Sequence, residues 1–132
     1  MKYLLDTHTL IWALTETNKL SENIRGILAN PDNDIVVSTV TFWEISLKYS
    51  LGKLDLGTIR PEEFPDACQS SRFIIEPVSA EISSTYHQLP VGYHRDPFDR
   101  LLIWQAIRQQ YALISIDSNI AKYASEGLKV VW

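Results

Sequence analysis

The chain has 132 residues, 45% hydrophobic and 21% charged, with a formal net charge of -4; this is the size and balance of one ordinary domain, able to bury a core without disulfide or metal staples. The acidic balance excludes a protein that grips nucleic acid through a general basic field, although not one that reaches it through metal ions and a few local cations. The single cysteine, Cys68, can make no internal disulfide, fits a reducing compartment and reads as a small buried hydrophobe.

Met1–Leu5 opens the chain on an apolar run, but Asp6, Thr7 and His8 interrupt it before it reaches the length of a leader. No stretch approaches the roughly 18 consecutive apolar residues of a membrane span, so a soluble, cytoplasmic protein is expected. Tyr3–Leu5 reads as a buried strand, followed by a helix over Thr7–Leu14. Ser21 is placed to cap a second helix to about Leu28, stopped at Asn30-Pro31. The β-branched run Ile35–Ser38 is the next strand. A longer helix is predicted from Thr41 to about Leu51, with Gly52 as its stop.

Helical stretches follow over Pro61–Ser71 and, capped by Ser79, to about Leu89, separated by a strand at Phe73–Ile75. Asp96-Pro97 opens the most apolar helix, which runs to about Gln110 with Pro97 at the favoured first position. Leu113–Ile116 makes a fourth strand, a short helix starts after Asp117, and Lys129–Val131 is the fifth strand. Apolar strands alternating with helices point to a parallel sheet covered on both faces, within a single domain over residues 1–132.

Four acids, Asp6, Glu44, Asp99 and Asp117, stand where a strand ends or a helix begins. Singly, each has a structural explanation. Asp6 and Asp117 can be N-caps, Thr41 and Glu44 have capping-box spacing, and Asp99 sits three residues after Asp96 in a first helical turn. Jointly they are harder to dismiss, because strand C-termini and helix N-termini share one edge of such a sheet, the edge at which ligands bind. Two charges about 4 Å apart repel by roughly 4 kcal/mol at an effective dielectric of about 20, so four gathered carboxylates call for protonation or a bound cation. Oxygen-only ligands suit Mg²⁺ or Mn²⁺ rather than Zn²⁺. His8, His87 and His94 are scattered without metal-ligand spacing and read as surface or core polar groups, although His8 and His94 each lie two residues from an acid.

Leu4-Leu5-Asp6-Thr7, Phe42-Trp43-Glu44-Ile45, the run His94-Arg95-Asp96-Pro97-Phe98-Asp99-Arg100-Leu101-Leu102, and Leu113-Ile114-Ser115-Ile116-Asp117 resemble, in order and spacing, the acidic motifs of PIN-domain ribonucleases. They are most similar to those of VapC-type toxins of bacterial toxin–antitoxin pairs. The resemblance implies a three-layer α/β/α fold around a parallel sheet of about five strands, in the order 3-2-1-4-5. It further implies Mg²⁺- or Mn²⁺-dependent endoribonuclease activity, with Asp6, Glu44, Asp99 and Asp117 as the catalytic, metal-holding quartet, and a homodimer restrained by a small antitoxin. Ser115 matches a small hydroxyl residue beside the last acid and Thr7 travels with Asp6. Asp96 belongs to a motif variant and is equally suited to capping the helix at Pro97.

Arg95, Arg100, Lys48 and Lys53 lie close in sequence to the acids and could hold flanking phosphates of the RNA substrate; the plainer reading of each is a solvated charge or an ion pair, favoured for Lys53. Trp12, Trp43 and Trp104 fall on apolar helix faces and read as core or interface. The segments Leu10–Leu14 and Leu101–Ile107 are apolar around more of the helix than one buried stripe requires and are expected to meet a partner. An aspartyl-phosphate enzyme would want an acid at position 8, which is His, and a receiver domain would want an acceptor Asp where Glu76-Pro77 stands. A non-catalytic PIN-like binding module would be expected to lose acids, and all four are present.

Overall fold

The apolar runs consist of branched and bulky side chains that favour extended backbone. In the computed structural model, which describes residues 1–132, they form five parallel strands: β1 (Lys2–Leu5), β2 (Asp34–Ser38), β3 (Ile74–Glu76), β4 (Ala112–Ile114) and β5 (Lys129–Val131). Their order is β3-β2-β1-β4-β5. The register places Leu4 beside Val36 on one side and Leu113 on the other. Between the strands lie helices α1 (Thr7–Thr15), α2 (Glu22–Ala29), α3 (Thr39–Ser50), α4 (Phe64–Ser70), α5 (Ala80–Thr85), α6 (Pro97–Gln109) and α7 (Ser118–Ala121).

Alternation along each strand builds the three layers, because successive side chains point to opposite faces. Tyr3 and Leu5, Ile35 and Val37, Ala112 and Ile114 pack with Leu10, Ile24, Phe64 and Cys68 of α1, α2 and α4. Leu4, Val36 and Leu113 face the other way, into Ile82, Leu102, Ile103 and Ile120 of α5, α6 and α7. Burying one such Leu or Ile side chain contributes about 1.5–3 kcal/mol, so the two clusters hold the middle of the sheet and leave its carboxyl edge free for polar residues. No helix is long and apolar enough to cross a membrane.

Several boundaries differ from the sequence reading. Helix α3 begins at Thr39, and Ser38 caps it by accepting the Val40 amide at 3.3 Å. The Thr41–Glu44 capping box does not form; Thr41 lies inside the helix with its hydroxyl buried and unpartnered. A serine ending β2 turns the chain straight into the helix, so no linker remains for Thr41 to cap. The stretches predicted as helix from Pro61 and to Leu89 each divide into a 3₁₀ turn, Pro61–Glu63 or Tyr86–Gln88, and a short α-helix. Strand β4 stops at Ile114 rather than Ile116, because Ser115 Oγ captures the Asp117 amide at 3.1 Å and turns the backbone away. Gly52 does end α3, at φ 69°, a conformation in which glycine carries no Cβ penalty.

The apolar surplus expected at a partner surface lies mostly inside the molecule. Leu10, Ile11, Leu102, Ile103, Trp104 and Ala106 are buried, and Trp12, Leu14, Leu101 and Ile107 pack against the same clusters. Both helices are sandwiched between the sheet and neighbouring elements, which consumes more than one stripe. The exposed apolar ridge is on α3 and just beyond it instead, where Trp43, Leu47 and Leu51 recur every fourth residue, Trp43 at 62% exposure.

Candidate active site

The carboxyl ends of β1, β2 and β4 share one edge, and the sequence-predicted acids reach it from different elements. Asp6 leaves β1 and caps α1, accepting the Thr9 amide at 2.8 Å. It is 4% exposed. Burial pushes its carboxyl above the usual range, against the opposing pull of hydrogen bonds from Ser115 and Thr9 and of the nearby His8. Ser115 Oγ accepts from Asp117, so its own proton is free for Asp6.

Glu44 and Asp96 form one arm of the acidic edge. Glu44 is buried on α3; its Oε1 accepts the Thr7 hydroxyl at 2.5 Å, and its Oε2 is held by the Lys48 ammonium one helical turn later. Lys48 Nζ also lies 3.4 Å from Asp96 Oδ2. Asp96 Oδ1 caps α6 by accepting the Phe98 and Asp99 amides at 2.8 and 3.3 Å. Burial works against the charged form of Lys48, yet Glu44 and Asp96 outweigh it and raise the ammonium's pKa. Each carboxylate oxygen of this arm therefore has a donor.

Asp99 and Asp117 form the other arm, and they have only an imidazole between them. His94 Nε2 stands 3.1 Å from Asp99 Oδ2 and 3.0 Å from Asp117 Oδ2. Its Nδ1 accepts the Asp96 amide at 3.2 Å, which leaves Nε2 as the ring nitrogen that presents its proton to the two carboxylates. Burial, followed by the charges of Asp96 and Glu44, pushes Asp99 up to about 7; His94 pulls it down and Asp6 adds to the rise. Asp117 moves the opposite way. Its partial burial is outweighed by the Asn119 amide, which it accepts at 2.8 Å in capping α7, and by His94, so its pKa is lowered.

Asp6, Asp99 and Asp117, with His8, Trp12 and Ile116, line a cleft of about 400 Å³. Glu44 and Asp96 are not part of its lining. The carboxylate set fits a hard divalent ion, having several oxygens, no thiolate, and in Asp99 an acid whose charge the protein leaves poorly compensated. His94, Asp99 and Asp117 bring their ligand atoms within 4.8 Å of one another.

The cations divide differently from their sequence neighbourhood. Arg100 is 6% exposed, and its guanidinium donates to the Leu89, Pro90 and His94 carbonyls and to the hydroxyls of Tyr86 and Tyr123. It pins the loop that carries His94 and offers nothing to a phosphate. Lys48 is committed to Glu44 and Asp96, whereas Arg95 is exposed beside the His94 loop. Lys53 is exposed and does not line the cleft. His94 is the site residue that sequence reasoning missed. Its only signal was its position two residues before Asp96, since the contacts with Asp99 and Asp117 depend on how the Arg100-anchored loop folds back.

The comparison with curated proteins returns no match. Among solved structures the fold is similar to VapBC2 from Rickettsia felis bound to a promoter DNA fragment, at 19% identity and a TM-score of 0.65, covering 99% of this chain and 98% of that one. VapBC-1 from nontypeable Haemophilus influenzae gives 19% identity and a TM-score of 0.65 over 99% and 97% of the two chains. FitAcB from Neisseria gonorrhoeae gives 14% and 0.58 over 98% and 96%. At these identities the likeness is one of fold. A sequence profile of the PIN domain matches residues 3–126, the span that contains every carboxylate of the acidic edge, and the chain belongs to the PIN-domain family.

Proposed function

We propose that this PIN-domain chain is a Mg²⁺- or Mn²⁺-dependent endoribonuclease and the toxin of a cytoplasmic toxin–antitoxin pair. The observation that carries the reading is the convergence of Asp6, Asp99 and Asp117 from three separate elements on one cleft, with Asp99 pushed up to about 7. These three would hold the ion, which when bound acidifies water and offsets charge on the scissile phosphate. Glu44, through Thr7, ties α3 to the start of α1 and so fixes Asp6. Ser115 orients the same acid, and Arg95 is the cation placed to hold a flanking phosphate.

The partner reading is supported by fold neighbours that are VapBC and FitAB assemblies, some bound to DNA. An antitoxin arginine would pair with the cleft carboxylates and block substrate. The exposed ridge Trp43, Leu47 and Leu51 favours a homodimer through α3. The test is cleavage of single-stranded or loop RNA by the purified chain. Cleavage is expected with Mg²⁺ or Mn²⁺ and lost in excess EDTA and in Asp6→Asn and Asp99→Asn; cleavage that survives all of these overturns the reading. Light scattering of wild type against Trp43→Asp tests the dimer, which the variant should convert to monomer.

A further inference from the structure

Two-ion phosphodiester chemistry places its cations about 3.5–4 Å apart between carboxylates, and the acidic edge has acids enough for that arrangement. Asp6, Asp99 and Asp117 line the cleft, while Glu44 and Asp96 meet Lys48 outside its lining. The second group already holds a positive charge. Lys48, four residues after Glu44 on α3, projects from the same helical face and reaches both acids. Its ammonium lies 5.8 Å from the centre of the Phe98 ring, which borders the same spot. Glu44 is left without a spare oxygen, since Thr7 holds one and Lys48 the other. A divalent ion entering there would have to expel a bonded ammonium from a carboxylate that is 3% exposed.

We propose that Lys48 is a built-in cation filling the Glu44–Asp96 side of the acidic edge, so that each chain takes one divalent ion, at Asp6, Asp99 and Asp117, rather than two. This rests on the metal-site reading above and adds the stoichiometry and the residue that sets it. The contrast between the arms supports it: the Lys48 arm has a donor for every carboxylate oxygen, whereas in the cleft Asp99 Oδ2 and Asp117 Oδ2 share a single imidazole nitrogen, and only Asp117 has a further donor, the Asn119 amide. It also removes Lys48 from the set of free phosphate-binding cations.

Counting bound Mn²⁺ by the spin resonance of the free ion, with calorimetry on the same samples, tests this without any activity assay. Wild type and Lys48→Arg should bind one ion per chain. Lys48→Met, which keeps the apolar stem and removes the charge, should bind two, and adding Glu44→Gln to it should return the count to one. Circular dichroism and a cooperative melt establish that each variant is folded. Two ions in wild type, or one in folded Lys48→Met, overturn the proposal and leave the metal-site reading standing. No ion in wild type overturns that reading and this one with it.

Discussion

The two arms of the acidic edge hold similar numbers of carboxylates on neighbouring elements, yet they meet opposite electrostatic fates. On the Glu44–Asp96 arm a lysine supplies a permanent charge, and helix amides and the Thr7 hydroxyl take the remaining oxygens. On the Asp99–Asp117 arm one imidazole nitrogen is shared by the two facing oxygens, only Asp117 has an amide donor besides, and Asp99 is driven up to about 7. A carboxylate cluster is therefore not by itself a reason to infer an ion. The informative quantity is charge that the protein leaves uncompensated beside open space, and here only the cleft arm has both.

The largest effect expected from breaking the contrast is on chemistry. Asp99→Asn, which removes charge but little volume, should lower RNA cleavage by more than about 100-fold in a single-turnover assay, because even outer-sphere partners of an ion typically carry 10–100-fold. Next is the compensated arm. Lys48→Met leaves Glu44 buried and without its cation, and chemical denaturation without metal should report a loss of about 3 kcal/mol.

Asp99→Asn should do the reverse to stability. Its folded-state pKa of about 7 lies above the ordinary 3.8, so the folded chain retains a proton that the unfolded chain releases. The penalty is absent below pH 4, grows as pH rises to 7 and is complete above it. In EDTA at pH 8 the variant should thus gain on the order of 2–4 kcal/mol over wild type, and below pH 4 nothing. Asp117→Asn, whose parent carboxylate is favoured in the fold, should lower the melting temperature under the same conditions. Solvent access and the bonds to Asn119 and His94 spare Asp117, so the strain of the gathered carboxylates falls on Asp99. The smallest effect expected is that of Thr7→Val, which deprives Glu44 of one donor while Lys48 remains, at about 1 kcal/mol in thermal melts.

Much of the frame was legible because it depends on local rules. Apolar runs of three to five residues separated by helical stretches imply a covered parallel sheet, and Asp6, Ser21, Ser79, Asp96 and Asp117 all cap the helices they precede. Ser38 was overlooked as a cap because it also ends a strand. What could not be read depends on distant chain segments. His94 meets Asp117 across 23 residues, and Arg100 looks like a phosphate cation beside Asp99 until the loop at Leu89–His94 closes over it. Lys48 was half legible, since its spacing from Glu44 suggests an ion pair but gives no hint of Asp96.

The measurement that bears most directly on the difference between the arms is a calorimetric Mn²⁺ titration of Asp99→Asn beside Glu44→Gln, two substitutions that each neutralise one acid of the edge. Asp99→Asn should abolish measurable binding, while Glu44→Gln should weaken it by no more than about 10-fold, the low end for an outer-sphere partner. Equal losses in the two variants, or a greater loss in Glu44→Gln, would contradict the account.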